Sequence, residues 1–147
     1  MPGGAFRLFR FAGITVFLHF TWFIVAAYQL TERSHGYSSP VWAVYEYVAL
    51  FAIVLLQEFG HALACRQTGG EADRIVLWPL GGIAFVNPPP QPGAVLWSSA
   101  AGPLVNVALI PVFGTLVFFA RRGADLSPDL LHLFEAIRFM NYALLIF

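Results

Sequence analysis

The chain has 147 residues, enough for one domain, and is 59% hydrophobic but only 11% charged. Soluble domains carry about 25% charged residues, so the composition points to a bilayer as solvent. The eight basic residues are all arginine, eight acids cancel them, and no basic excess exists to hold a nucleic-acid backbone, which excludes that partner class.

A bilayer core of about 30 Å needs about 20 apolar residues of helix. Phe11 to Leu30 is free of Asp, Glu, Lys and Arg and follows Arg7 and Arg10. It is longer than the apolar core of a signal peptide, about 7 to 15 residues, and it predicts a retained first span. TERSHGYSSP, residues 31–40, predicts a polar loop. Val41 to Cys65 predicts the second span, with Glu46 near its start and Glu58 and His61 near its end. Cys65, the one cysteine, has no partner for an internal disulfide and reads as a small buried residue. Gly69-Gly70 then stop the helix.

Ile75 to Val86, IVLWPLGGIAFV, is apolar but too short to span. Its β-branched and aromatic residues, broken by Pro79 and Gly81-Gly82, predict two short strands in a hairpin or a re-entrant segment. Non-helical backbone at that depth must be buried in protein or line a wet cavity. NPPPQPG predicts a stiff linker. Gly93 to Ala120 predicts the third span, opened by the small residues SSAAGP, which let helices approach closely. Pro103 and Pro111 are candidate kinks. Leu130 begins a predicted fourth span, with Glu135 and Arg138 expected to pair along it, and the sequence stops at Phe147 in the manner of a fragment truncated at its C-terminus.

The expectation is an all-α polytopic membrane protein. It has about four transmembrane helices, a short membrane-associated β-hairpin between helices 2 and 3, and residues 1–147 as one domain in the cell membrane. Arg7, Arg10, Arg66 and Arg74 set against Arg33, Arg121 and Arg122 favour an N-terminus inside. Glu46 is expected near the lipid–water interface, and Trp22, Trp42, Trp78 and Trp97 are candidate interface markers.

Chemistry concentrates in LLQEFGHALA, residues 55–64. Positions 57 and 61 lie one helical turn apart and share a face, with Glu58 beside them. That is the geometry of a zinc helix, in which two side chains reach a metal and a Glu works as base. Intramembrane charges are costly, about 2.5 to 3.5 kcal/mol each on insertion scales, and tend to be functional. Read alone, Glu58 and His61 also suit a polar pair facing a partner helix. Gln57 is either a ligand through its amide oxygen, a weaker donor than imidazole, or a hydrogen-bonding group in a polar pocket. His19 is either satisfied by a neighbouring helix or borders the site and replaces a ligand. Asn106 is either helix-packing glue or a polar group at the cleft.

EFGHALA, then WPLGGIAF, then AAGPLVN at the start of the next span resemble the site-2 protease family of intramembrane zinc metalloproteases. RLFRFAGITVFLHFTWF is similar to the start of its bacterial sporulation-factor-processing branch. The resemblance runs from Arg7 to Phe147. It maps the His-Glu-x-x-His motif onto Gln57 to His61, and Ala-Gly-Pro-x-x-Asn onto Ala101, Gly102, Pro103 and Asn106. It implies Glu58 as general base, His61 and position 57 as zinc ligands, and Asn106 at the cleft. Its third ligand is an Asp in a Leu-Asp-Gly stretch that these residues do not contain. It also implies zinc as cofactor and a membrane protein with a transmembrane segment as substrate, cut in or beside that segment. The alternative is a catalytically inactive relative that binds membrane proteins as a scaffold or regulator.

Overall fold

The structure, a computed structural model, describes residues 3–79, 81–123 and 126–146. In chain order the elements are β1 (Ala5–Phe11), β2 (Ile14–His19), α1 (Thr21–Ser34), α2 (Pro40–Gln67), β3 (Glu71–Trp78), β4 (Gly81–Asn87), α3 (Pro92–Arg122) and α4 (Pro128–Ile146). One four-stranded sheet runs in the order β1-β2-β3-β4. The outer pairs are antiparallel hairpins, and β2 and β3 join them in parallel, Val16 opposite Ile75.

The expected first span is therefore not a span, and the protein is not all-α. Residues 5–19 form a hairpin whose turn, Ala12-Gly13, has φ of 52° and 77°. Two consecutive positive φ values make the turn type whose twist matches paired strands. The flanking runs FRLFRF and ITVFLH are rich in aromatic and β-branched residues, which favours strands. Only the segment from Thr21 is helical. The hairpin expected within residues 75–86 is present and longer, as β3 and β4. Leu80 lies outside the described residues.

Among the described residues two helices, α2 and α3, are long and apolar enough to cross a membrane, not four. At about 1.5 Å per residue their 28 and 31 residues exceed a bilayer core. Only 17% of the most apolar stretch of α3 is buried inside the protein, unlike a soluble core helix. Helix α4 forms where the fourth span was expected, but its Asp129, Glu135 and Arg138 keep it short of a span.

Two compact units share the long helices. The first comprises residues 1–24 and 54–105. Its core is one face of the sheet, Ile14, Val16, Ile75 and Leu77, with Val54, Ala62 and Cys65 of α2, all essentially inaccessible. The second comprises residues 25–53 and 106–147, built on Tyr37, Ala43, Ile53, Leu133 and Ile137.

In the second unit Glu46 is buried among partners from other segments, and the expected Glu135–Arg138 pairing fails. Glu46 is 2% exposed and accepts from Arg33 Nε at 2.8 Å and the Tyr37 hydroxyl at 2.5 Å. A carboxylate lacking water needs such donors. Burial and that bond to Glu46 push the Tyr37 pKa up. Glu135 pairs with Arg121 at 2.6 Å rather than with Arg138, because the Arg121 guanidinium at the end of α3 offers two donors to one oxygen. Outside the apolar helices, the Asp129 carboxyl is held below its ordinary pKa by the Ser38 hydroxyl and backbone amide. Of the tryptophans proposed as interface markers, Trp22 is buried while Trp78 and Trp97 are exposed.

Candidate active site

The site lies in the first unit, where α2 passes under the free edge of β4. Glu58 is 6% exposed, and the backbone amides of Gly82 and Ala84 donate to its carboxylate. Those amides are available because β4 ends the sheet: one of its edges pairs with β3 and the other meets the helix. Gly82 permits the approach, since a Cβ there would come within 2.7 Å of the Glu58 carboxyl carbon. The strand thus fixes a carboxylate that would otherwise be costly at this depth.

His61, one turn further on, is fixed from α3. Its Nδ1 lies 2.8 Å from the Ser98 carbonyl oxygen. A carbonyl can only accept, so in the neutral ring Nδ1 carries the proton and Nε2 keeps its lone pair. This is the outer hydrogen bond that orients metal-binding imidazoles. The ring lies so close to α3 that a Cβ on Gly102 would coincide with it, nearest to Nε2. Gly60 completes the contact: its missing Cβ would sit 2.9 Å from the Ala101 carbonyl oxygen and 2.8 Å from a Val105 methyl. Glu58, His61, Gly82, Ile83, Ala84, Val86, Ser98 and Ser99 line a cleft of about 300 Å³.

Gln57 is half-buried and is not among those lining residues. His19 ends β2, buried, stacked on Trp78 with ring centroids 3.8 Å apart and bonded through Nδ1 to the Thr21 hydroxyl at 2.8 Å; it too is absent from the cleft lining. Asn106, on the second unit's stretch of α3, is fully buried and pairs with Asn141. Its Nδ2 donates to Asn141 Oδ1 at 3.0 Å, and Asn141 Nδ2 returns to the Asn106 carbonyl at 2.9 Å. Of the five candidates, the structure brings Glu58 and His61 together. Ser98 and the two strand amides were not anticipated. The signals that could have found them are SSAAGP, which promises close helix contact, and GG, which promises close backbone approach.

A catalytic zinc site takes three protein ligands and keeps one position open. Here one imidazole is oriented with a free nitrogen, Gln57 adds at best a neutral amide, and no group of three His, Cys, Asp or Glu side chains stands together among the described residues. The residues present therefore do not fit a complete catalytic zinc site.

A base-type carboxylate and an oriented imidazole thus stand together on one face of an apolar helix, roofed by a strand edge. Two known proteins are similar to the chain as a whole. The chain is 30% identical over 138 residues to a zinc metalloprotease of Methanocaldococcus jannaschii, a match that covers 94% of this chain and 39% of the relative. Its fold superposes on a site-2 protease from Methanocaldococcus jannaschii with a TM-score of 0.71 and 27% identity, over 97% of this chain and 64% of that one. The chain thus spans less than two thirds of the length of either. No family model matches. The two similarities support the site-2 protease family and, with it, the metalloprotease type.

Proposed function

We propose that the chain is the catalytic part of a site-2-type protease, of the sporulation-factor-processing branch, in the cell membrane. Its reaction is hydrolysis of a peptide bond in or beside a transmembrane segment of another protein. The observation that carries this reading is the joint placement of Glu58 and His61 on α2, beneath β4, in a cleft of suitable size for a peptide group. The exposed apolar surface of α3 supports a bilayer as surroundings.

Glu58 takes the proton of the attacking water. The water oxygen bonds to the scissile carbonyl carbon, the carbon–nitrogen bond breaks, and the proton passes to the departing amine. The amides of Gly82 and Ala84 hold the carboxylate in place for both transfers. An unwound stretch of a substrate helix needs backbone partners at this depth, and the Gly82 and Ala84 amides are already taken by Glu58. Zinc is proposed as the cofactor of the whole protein because the curated relative is a zinc enzyme, with His61 and position 57 as the contributions from α2. No step above is routed through it.

The test is cleavage of a single-span substrate by the full-length protein in proteoliposomes, wild type against Glu58→Gln. The variant keeps its fold and loses about 100- to 10,000-fold in rate, the span of general-base contributions. Undiminished cleavage would remove Glu58 from the mechanism. Substrate binding without cleavage in the wild type would favour the inactive scaffold.

A further inference from the structure

The N-terminal strand takes no part in the cleft, yet its side chains are sorted. Residues directly opposite on neighbouring strands project to the same face. Strict alternation along FRLFRF would mix the faces, with Phe6, Leu8 and Arg10 on one and Arg7, Phe9 and Phe11 on the other. The register instead jumps between Arg7 and Phe9, a bulge that absorbs Leu8. Phe6, Phe9 and Phe11 then oppose Leu18, Val16 and Ile14, whereas Arg7 and Arg10 oppose Phe17 and Thr15. All three phenylalanines therefore share one face and both arginines share the other. Arg74 continues the arginine face across the sheet, opposite Thr15.

The phenylalanine face is the core face, but it runs on past the core. Phe6 and Phe11 remain 54% and 65% exposed, with T-shaped ring contacts to Phe23 and Phe59. On the arginine side no compensating acid exists nearby in sequence, since no Asp or Glu precedes Glu32. Neither Arg7 nor Arg10 joins an ion pair among the described residues. An acidic peptide would match the arginines and leave the phenylalanines in water. A lamellar partner matches both faces at once, with acyl chains below and phosphates above, at the depth of about 5 to 10 Å where interfacial amphipathic segments lie.

We propose that β1 is an interfacial strand that docks on anionic phospholipid, its phenylalanines in the acyl boundary and Arg7 and Arg10 on the phosphates. The proposal rests on the membrane reading given above. Its test uses the full-length protein in vesicles of phosphatidylcholine and phosphatidylglycerol, with energy transfer from tryptophan to pyrene-labelled versions of either lipid reporting which one is enriched beside the protein. Wild type enriches phosphatidylglycerol. Arg7→Gln with Arg10→Gln lowers its relative association by up to about thirtyfold, at about 1 kcal/mol per basic residue, whereas Arg7→Lys with Arg10→Lys keeps it. The exchange Phe9→Arg with Arg10→Phe preserves composition and charge but breaks the sorting, and it also loses the preference. Unchanged enrichment in the glutamine variant, or in the exchange variant, would overturn the proposal. So would a dimer formed through the open edge of β1 without lipid preference. If the wild type is released from vesicles by an alkaline wash, the membrane reading itself fails, an outcome distinct from a bilayer-retained protein indifferent to lipid charge.

Discussion

Replacing Gly102 by alanine tests the tight seat of His61, and the sign of the effect is informative. In an unobstructed helix interior the change stabilises by about 1 kcal/mol, the difference in helix propensity. At Gly102 the added methyl falls on the imidazole. The helices cannot easily separate to make room, because Gly60 already meets the Ala101 carbonyl and Val105 at its closest approach. The ring must swing, which breaks the 2.8 Å bond to the Ser98 carbonyl at about 1 kcal/mol and adds an overpacking cost of about 1 to 3 kcal/mol. After subtracting the propensity gain, Gly102→Ala loses about 1 to 3 kcal/mol. At about 2 to 4 °C per kcal/mol for a domain of this size, the thermal midpoint in detergent, followed by circular dichroism, falls by about 2 to 12 °C. Gly114 on the same helix is the internal control, since a Cβ there meets nothing within 4 Å. Gly114→Ala should raise the midpoint by about 2 to 4 °C. A Gly102→Ala protein as stable as Gly114→Ala would show that His61 is not held where the structure places it.

Position 57 separates ligand from bystander: in the full-length protein a zinc competition titration should show Gln57→His binding about tenfold or more tighter than Gln57→Ala, the scale of ligand-environment effects. Equal affinities for Gln, His and Ala would mean that the side chain points away from the metal. The Asn106–Asn141 pair predicts non-additivity. Asn141→Leu takes the Oδ1 partner from the buried Asn106 amide at about 1 to 3 kcal/mol, and adding Asn106→Leu recovers part of that loss. Purely additive losses in an unfolding double-mutant cycle would sink the pairing.

The two long helices were legible because twenty-odd apolar residues have few other uses. The hairpin of β3 and β4 was legible because Pro79 and Gly81-Gly82 interrupt a run too short to span. The N-terminal hairpin was hidden by the same length rule. The charge-free stretch from Phe11 onward has the length of a span, which masks the strand signals around Ala12-Gly13. Long-range partners were also hidden. Nothing local to Glu46 announces Arg33 and Tyr37, and nothing near Glu135 favours Arg121 over Arg138. At the site, Glu58 and His61 carried helical spacing and were found together. The strand amides that bind Glu58 belong to a sheet edge, and edges exist only once strand order is known.

The parallel pairing of β2 with β3 has a consequence for biogenesis. Leu18 waits for Leu77, 59 positions later, and at about 5 to 20 residues per second that is about 3 to 12 seconds of synthesis. During that interval the first hairpin has both edges open. It has enough aromatic surface to mispair with another nascent chain, and it cannot complete its sheet until the helix carrying Glu58 has been made. Loop closure of that length is what slows folding in sheets with distant partners. The order of synthesis is therefore the first hairpin, α1 and α2, then the second hairpin that closes the sheet over the carboxylate, and after it α3. The site is complete only once α3 brings the Ser98 carbonyl to His61, so a nascent chain stopped before β4 has a helix with a Glu but no strand to aim it.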